Sequence, residues 1–396
     1  MNPFIKLFLF SFCIYESFFS FTNNIFKNEG TLKADDNSES YETRIKRSII
    51  NNMQFKWTSP IPYFCRFNVN KTLIQEALAI LEKETCLKFN ETLDFANGFL
   101  RYANGTNRCF SSLGKVSNND LHNVVVGRDC SDVIGVLHET LHALGVIHEM
   151  GRHDRDSYID VKYENIKPSS QFNFVRYDLT EASSYNLKYD FGSVMHYNRY
   201  ITTKNNQETM VPKGKYKSYL KTIGQKTRFG FNDAKQLNIY YCSDKCPDSK
   251  LKCKMGGYPH PNDCRFCKCP EFYTGRLCNK LLPSHKQCGS TRFLKTNEID
   301  KRLVVSGIKT CYFQIAAPRG RKVRLNIEET DLLDSFVCHP DQGLEIKFLA
   351  DKSVSGAVLC GKNSGEVIIS ENNVVVMKYV GLTSNSTIKI QYRDVA

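Results

Sequence analysis

The spacing of apolar residues predicts two amphipathic helices in the first half of the chain. In "KTLIQEALAILEKETCLKF" (71–89) and "SDVIGVLHETLHALG" (131–145), apolar side chains recur at the period of one helix face. The runs "LRYAN", "CFSSLG" and "HNVVVG" between them favour short strands. The pattern predicts a mixed sheet packed with two helices, and then an irregular segment from about 150 to 242.

A different pattern begins near residue 288. Eight short runs, from "VVSGI" to "TIKIQYR", alternate apolar and polar residues as the strands of a β-sandwich do. Just before them, residues 246–278 contain six cysteines and few apolar residues, so disulfides must hold a module that is too small for a core. The 396 residues are therefore predicted to form several domains: an α+β domain, a small cysteine-rich module and an all-β domain.

Three histidines are spaced for a metal site at the end of the second helix. His138 and His142 are four residues apart and share one helix face, with Glu139 beside them. His148 can join them only if the helix stops, and Gly145 supplies the stop because glycine adopts the left-handed conformation. Three imidazoles with an open fourth position are typical of catalytic zinc. The alternative is an amphipathic helix whose histidines are merely exposed.

A methionine turn downstream completes the zinc-binding pattern. "GSVMHYNRY" (192–200) provides Met195 and, two residues later, Tyr197. Together with "HETLHALGVIHEMGRHDRD" (138–156) and the "PIPY" segment, it makes the chain resemble the astacin family of metzincin peptidases. The resemblance implies an α+β metzincin catalytic domain for residues 48–242.

The resemblance also implies a role for each site residue. One zinc ion is bound by His138, His142 and His148. Glu139 is the general base, and Tyr197 is a displaceable ligand that supports the transition state. Zinc lowers the pKa of water and polarises the scissile carbonyl, a glutamate can accept the proton, and a tyrosine hydroxyl is a suitable oxyanion donor. The strand at "CFSSLGK" is the edge on which a substrate adds as an antiparallel strand.

The amino-terminal part is predicted to contain targeting and processing segments. Residues 1–21 have one lysine and then an aromatic and aliphatic run typical of a signal peptide, a signal anchor being the alternative. Residues 22–47 are polar, as in a propeptide, and end in the paired-basic site "RIKR". Cleavage after Arg47 makes Ser48 the new amino terminus, which in the family is buried near Glu149. The Phe-x-Gly-Asp segment of many family propeptides is absent.

Two further resemblances cover the rest of the chain. Residues 243–279 have the C-x-C-P-x-x-x-x-G-x-x-C ending of an EGF-like module, although "CRFCKC" would also suit a zinc ribbon. Residues 288–396, with their "LCG" triplet, resemble a CUB domain, and the shifted spacing in "DQGLEI" gives no expectation of calcium. The three resemblances imply seven disulfides: Cys86–Cys242, Cys109–Cys130, Cys246–Cys264, Cys253–Cys267, Cys269–Cys278, Cys288–Cys311 and Cys338–Cys360.

Composition favours an extracellular protein. Sixteen cysteines argue for an oxidising compartment. No later run is apolar enough for a transmembrane helix, and "IQYRDVA" carries no lipid-anchor signal. We therefore expect a secreted protein with neither membrane nor nucleic-acid partners, and the net charge of +13 excludes nothing. Four sequons are candidates for N-glycosylation: Asn70, Asn90, Asn104 and Asn385.

Two residues have open interpretations. By resemblance, Lys213 in "TMVPKGK" lines the pocket for the residue after the cleaved bond, where a cation favours Asp or Glu. A solvated lysine loop is the alternative. With Cys13 in the signal peptide and seven disulfides, Cys65 remains unpaired. It is either an inert packed thiol or the site of an intermolecular disulfide.

The sequence thus predicts a secreted zinc metalloendopeptidase that is made as a zymogen. The order of peptidase, EGF-like and CUB domains is found among nematode astacins, which act on matrix, cuticle or egg-coat proteins. The last two domains offer matrix or glycan contacts. The alternative is an adhesion or scaffold protein with an inactive peptidase domain. The presence of all five residues that catalysis requires favours the enzyme: His138, Glu139, His142, His148 and Tyr197.

Overall fold

The computed structural model describes the following part of the chain: Ile49 and residues 55–178, 181 and 183–396. Several predictions lie outside the described residues: the signal peptide (1–21), the propeptide (22–47), the Arg47 processing site, Ser48 and Cys13. Among the residues that are described, no helix combines the length and the hydropathy that crossing a membrane requires.

The first domain is built on a five-stranded sheet. Its strands are β1 (Ile61–Cys65), β2 (Phe89–Glu91), β3 (Phe99–Asn104), β4 (Phe110–Ser111) and β5 (Leu121–Val126). They lie in the order β2-β1-β3-β5-β4. All neighbours are parallel except β4 and β5, which are antiparallel. β4 is therefore an edge strand, paired within the sheet on one side only.

Both predicted helices form, but each is shorter than its apolar pattern. α1 spans Lys71–Glu84 and α2 spans Val133–Ala143. α1 ends early because the hydroxyl and the backbone N–H of Thr85 both donate to the Leu81 carbonyl, at 2.6 and 2.9 Å. The chain then turns away into β2. α2 is joined to the sheet by a 3.0 Å hydrogen bond between the hydroxyls of Tyr102 and Thr140.

The segment from 150 to 242 is mostly irregular, as predicted, except at its end. β6 (Ile159–Val161) pairs antiparallel with β7 (Met210–Pro212), and a helix, α3 (Phe231–Tyr241), follows. The prediction of irregular structure is wrong for α3. Its two buried asparagines interrupt the apolar period, and the Gly230 N–H donates to the Asp233 carboxylate at 3.1 Å to start the helix.

Short 3₁₀ helices connect these elements and also precede the last domain. Their bounds are Arg128–Cys130, Glu149–Gly151, Arg155–Ser157, Tyr163–Asn165, Pro168–Phe174, Gly214–Tyr219 and Lys286–Cys288. The third histidine of the predicted metal site directly precedes the second of them.

The cysteine-rich module contains two small antiparallel sheets. Its strands are β8 (Tyr258–His260), β9 (Asp263–Lys268), β10 (Tyr273–Thr274) and β11 (Lys280–Leu281), paired β8 with β9 and β10 with β11.

The carboxyl-terminal domain is a β-sandwich. Its strands are β12 (Phe293–Lys295), β13 (Lys301–Ser306), β14 (Lys309–Ala316), β15 (Lys322–Asp331), β16 (Gly343–Lys347), β17 (Ala357–Leu359), β18 (Lys362–Asn363), β19 (Glu366–Ile369), β20 (Val374–Gly381) and β21 (Thr387–Val395). One sheet has the order β12-β14-β20-β16-β17, and the other has β13-β21-β15-β18 with β19 also on β15. Each of the eight predicted runs overlaps a strand.

The disulfides of the structure join the cysteines that the resemblances pair. The seven bonds are Cys86–Cys242, Cys109–Cys130, Cys246–Cys264, Cys253–Cys267, Cys269–Cys278, Cys288–Cys311 and Cys338–Cys360. Among the cysteines that the structure describes, Cys65 alone is free, and it is half-buried. Burial raises the pKa of its thiol to about 11, which disfavours the reactive thiolate.

Candidate metal centre and active site

The end of α2 brings the three histidines of the sequence pattern together. The Asp132 carboxylate caps α2 by accepting the Gly135 N–H at 2.7 Å. The helix stops before Gly145, which has a φ of 93°, a value that favours glycine. The chain then folds back, and the ligand nitrogens of all three histidines lie within 4.8 Å of one another: His138, His142 and His148.

Backbone carbonyls orient two of the imidazoles toward a common point. His138 Nδ1 lies 2.9 Å from the Val194 carbonyl, and His142 Nδ1 lies 2.7 Å from the Val146 carbonyl. Because a carbonyl only accepts, both Nδ1 atoms carry the proton, and each Nε2 keeps a lone pair. His142 Nε2 is 3.2 Å from His148 Nε2. The two hydrogen bonds from Nδ1 to backbone carbonyls are of the kind that orients histidine ligands of metals.

Burial keeps the three histidines neutral. It lowers the pKa of His138 to about 4 and that of His142 to about 3, and it lowers the pKa of His148 well below its usual value. Neutral imidazole is the form that binds a metal ion, and three imidazoles suit zinc. The donor set therefore fits a zinc ion without any proton having to leave at neutral pH.

Glu139 presents a buried carboxylate beside these histidines. The residue is 7% exposed, and among the described residues Oε2 has no hydrogen-bond partner. Burial raises the pKa of Glu139 to about 8, while the Lys226 charge and a backbone hydrogen bond from Ser111 oppose the rise. A carboxylate with a free oxygen and a pKa near neutrality is suited to accept and return a proton.

Tyr197 contacts the third histidine, and Met195 is hydrogen-bonded to the residue that follows it. The Tyr197 ring centroid is 4.2 Å from that of His148. Burial, with the charge of Glu139, raises the pKa of Tyr197, so its hydroxyl keeps the proton that an oxyanion donor needs. Met195 is 1% exposed, and its carbonyl accepts the Glu149 N–H at 3.0 Å. The turn is thereby joined to the residue that follows the third histidine.

The Glu149 carboxylate is held by Asp190 and Arg152. Its Oε1 accepts the Asp190 N–H at 2.8 Å and lies 3.1 Å from Arg152 Nη1. Burial raises the pKa of Glu149 to about 7, and the charge of Arg152 opposes the rise. Sequence reasoning assigned Glu149 to the processed amino terminus, and Ser48 lies outside the described residues. Nearby in sequence, Ile49 is fully buried.

The edge strand β4 lies directly beside Glu139. The backbone of Ser111 reaches that carboxylate, and the Gly114 N–H donates to the His142 carbonyl at 2.9 Å. The side of β4 that is unpaired in the sheet therefore borders the histidine cluster. An extended peptide can add to such an edge as a further strand.

A buried histidine that sequence reasoning missed clamps this strand. His122 Nδ1 lies 3.1 Å from Asp120 Oδ2, and its Nε2 lies 3.0 Å from Ser111 Oγ and 3.1 Å from the Ser112 carbonyl. The three side chains have the order of a Ser–His–Asp triad. However, the Ser111 hydroxyl also donates to the Ser112 carbonyl at 3.0 Å, so its proton has a partner other than Nε2. The cluster is a brace for β4.

Two lysines differ in their relation to the site. Lys213 Nζ lies 3.1 Å from Asp160 and donates to the Asp156 carbonyl at 2.8 Å, so its charge is compensated. Lys226 is exposed, and its positive charge lowers the pKa values of both Glu139 and His138. No motif in the sequence marked Lys226, since only the fold brings residue 226 to residue 139.

The sequence also singled out four sequons and His196. The four sequon asparagines are all exposed: Asn70, Asn90, Asn104 and Asn385. His196, predicted to be an ordinary residue, is buried with Nε2 2.7 Å from the Tyr189 hydroxyl. It contributes to packing behind Tyr197.

Comparisons with known proteins match both of the larger domains. The profile of the peptidase family described as Astacin matches residues 49–242, and that of the CUB domain matches residues 303–392. Zinc metalloproteinase nas-34 of Caenorhabditis elegans is 32% identical over 91% of this chain and 59% of its own length. Zinc metalloproteinase nas-26 of the same organism is 30% identical over 85% of this chain and 82% of its own length.

The chain is shorter than many relatives that it matches. It spans between 39% and 59% of the length of four such zinc metalloproteinases. Among solved structures, high choriolytic enzyme 1, a hatching-enzyme zinc protease of medaka fish, is 28% identical with a TM-score of 0.42. That match covers 47% of this chain and 94% of the medaka enzyme.

Proposed function

The chain belongs to the astacin family, and from this premise we propose that it is a secreted zinc metalloendopeptidase of extracellular proteins. The observation that carries the proposal is the cluster of three half-buried, neutral imidazoles beside the Glu139 oxygen that has no partner among the described residues. The proposed substrates are proteins of the extracellular matrix, the cuticle or the egg coat. The CUB domain and the proposed EGF-like module at 243–279 would add contacts to matrix proteins or glycans.

The side chains of the site divide the work of peptide hydrolysis. His138, His142 and His148 would hold zinc, which when bound acidifies water and polarises a carbonyl. Glu139 accepts a proton from the attacking water at Oε2 and returns it to the leaving amine. The Tyr197 hydroxyl donates a hydrogen bond to the oxyanion.

The proposed peptide-binding edge is β4. Main-chain groups on its unpaired side, held in place by the His122 brace, offer hydrogen bonds to an extended substrate. A substrate bound there passes Glu139, because the backbone of Ser111 reaches that carboxylate. This mode gives affinity without selecting side chains, so selectivity must come from the neighbouring pockets.

The function is tested by removing and restoring zinc. We expect the processed protein to contain one zinc ion per chain and to cleave a quenched fluorescent peptide library. Dialysis against a chelator should abolish cleavage, and added zinc should restore it. A reagent that acylates active serines should have no effect, since the proposed hydrolysis uses no serine nucleophile. Full activity in a sample shown by metal analysis to lack zinc would contradict the proposal.

We further propose that the protein is a zymogen processed after Arg47. Arg47→Ala should give an uncleaved chain with less than about a tenth of the processed activity, because the amino terminus that stabilises the site is not freed. Activity is compared on a folded protein substrate. A variant in which residues 44–47 are replaced by the recognition site of another protease is the control, and that protease should restore activity. Full activity of uncleaved Arg47→Ala would refute the prediction.

The lysines near the cleft lead us to propose a preference for acidic substrate residues. Lys226 should contribute most, because Lys213 is paired with Asp160 and Lys226 acts on Glu139. Cleavage-site profiling of Lys226→Glu should show a loss of about tenfold or more in the use of Asp and Glu. Lys213→Glu, the matched control, should change the profile by less than about threefold. The reverse ranking would place Lys213 in the pocket.

Secretion and glycosylation complete the proposal. All four sequons are exposed, and the Asn70 side chain uses its oxygen to cap α1 by accepting the Leu73 N–H at 3.2 Å. That contact leaves the Asn70 amide nitrogen, the atom to which a glycan is attached, free of the cap.

A further inference from the structure

The CUB domain contacts the peptidase at the loop that carries Lys226. Arg228 Nη1 and Nη2 donate to the two carboxylate oxygens of Glu345 at 3.0 and 2.9 Å. Glu345 lies on β16 and is 1% exposed. A bidentate pair of this kind fixes the orientation of both partners. One end of the loop is therefore fixed by a strand of the CUB domain.

The same loop is tied to the methionine turn from its other side. Gln225 Nε2 donates to the Gly192 carbonyl and to the Arg228 carbonyl, both at 2.7 Å. Its Oε1 accepts the backbone N–H groups of Thr227 and Arg228, each at 3.0 Å. Lys226 thus sits in a short loop between the turn that orients His138 and the CUB domain.

A second contact reaches the segment before the methionine turn. The Ser355 N–H of the CUB domain lies 3.2 Å from both oxygens of the buried Asp190 carboxylate. The Asp190 N–H in turn donates to Glu149 at 2.8 Å. A continuous path of hydrogen bonds therefore joins the CUB domain to the residue after the third histidine.

Apolar packing makes this contact extensive. One buried cluster runs from Phe191 and Tyr219 of the peptidase into the interior of the β-sandwich. The ring centroid of Tyr219 is 4.3 Å from that of Phe191 and 5.4 Å from that of Phe348. The Tyr219 hydroxyl also donates to the Ser355 carbonyl at 3.0 Å. The two domains share a core instead of meeting across a wet, mobile boundary.

We infer that the CUB domain is a positioning part of the active site. Glu345 and Ser355 hold Arg228 and Asp190, and through them the Lys226 loop and the methionine turn. The inference rests on the proposed peptidase function. Buried charges are costly to leave unpaired, and their best-attested use is to fix one geometry among several. Here that geometry fixes the loop that carries Lys226, because Gln225 and Arg228 are held on either side of it.

The test is a double-mutant cycle between the two domains in the full processed chain. The variants are Glu345→Gln, Lys226→Met and their combination. The readout is the ratio of kcat/KM for a peptide with Glu at the preferred acidic position to that for its Gln isostere. We expect Glu345→Gln to lower this ratio about threefold to tenfold. Lys226→Met should lower it further, and the double variant should equal Lys226→Met alone.

Two controls separate positioning from general destabilisation. Glu329→Gln removes an exposed CUB partner of Lys389 and should leave the ratio unchanged. In Glu345→Gln, amide hydrogen exchange should rise at 190–195 and 224–228 while α1 stays protected. If Glu345→Gln fails to fold, the charge swap Arg228→Glu with Glu345→Arg replaces it and should recover at least half of the ratio.

The possible failures are distinguishable. The positioning role would be overturned if the two substitutions lowered the ratio independently, so that their effects multiplied in the double variant. It would also be overturned if Glu345→Gln left both the ratio and the exchange pattern unchanged. Either result would leave the peptidase assignment intact. Absence of zinc-dependent cleavage in the wild type would sink the proposed function, and the exchange measurement would still report on whether Glu345 holds the loop.

Discussion

Replacing Glu139 with glutamine lowers kcat/KM by about 10³- to 10⁴-fold while zinc stays bound. Glutamine keeps the shape of the side chain and removes the proton acceptor, and Glu139 is not one of the clustered ligands. The measurement pairs peptide turnover with metal content on one preparation. A variant that retained more than about a tenth of wild-type activity would show that another group accepts the proton.

The same substitution has a thermodynamic control in the metal-free chain. Burial raises the pKa of Glu139 from 4.5 to about 8. Because the folded pKa exceeds the unfolded one, the protonated carboxyl favours the folded state below pH 4.5, and this advantage is lost as the pH rises through 8. Metal-free wild type should therefore lose melting temperature between about pH 5 and pH 8 relative to Glu139→Gln. Equal losses in both proteins would mean that the carboxylate is solvated in the metal-free state.

The metal site could be predicted from sequence because its geometry is local. The spacing from His138 to His148 lies within one helix and its terminating turn, and Gly145 adopts the positive φ that the pattern requires. Helix periodicity and glycine conformation decide such an arrangement without knowledge of the rest of the chain. The strands of the sandwich were predictable for the same reason, since side-chain alternation is local too.

The elements that were missed depend on distant partners. α3 lacks a clear apolar period because Asn232 and Asn238 point inward, where Asn232 reaches Asp190 at 3.3 Å and Asn238 the Glu84 carbonyl at 2.9 Å. No local pattern reports such partners.

The environment of the active site was equally hidden. Lys226 acts on a glutamate 87 positions away, and Arg228 pairs with a glutamate 117 positions away. His122 occupies a buried position in the alternating pattern of its strand, so the sequence gives no sign of a special role. Its role as the brace of β4 depends on its contact with the Ser112 carbonyl, which only the structure shows. Sequence reasoning thus finds the groups that do the chemistry sooner than those that hold them in place.

Replacing Tyr197 with phenylalanine should lower kcat by about 10²- to 10³-fold, with KM nearly unchanged. The ring stays against His148, at a centroid distance of 4.2 Å, so the packing of the histidines is retained and only the hydroxyl is lost. An oxyanion donor acts on the transition state more than on bound substrate, and its removal therefore appears in kcat.

The control for this prediction is a transition-state mimic. A phosphinic peptide, which is tetrahedral and anionic at the reacting centre, should bind Tyr197→Phe more weakly than wild type by a factor close to the loss in kcat, whereas a substrate-like competitive peptide should bind both equally. Because burial keeps the hydroxyl protonated, the loss should be the same at about pH 6 and pH 8. A rise in KM with kcat preserved would show instead that Tyr197 holds the substrate in its ground state.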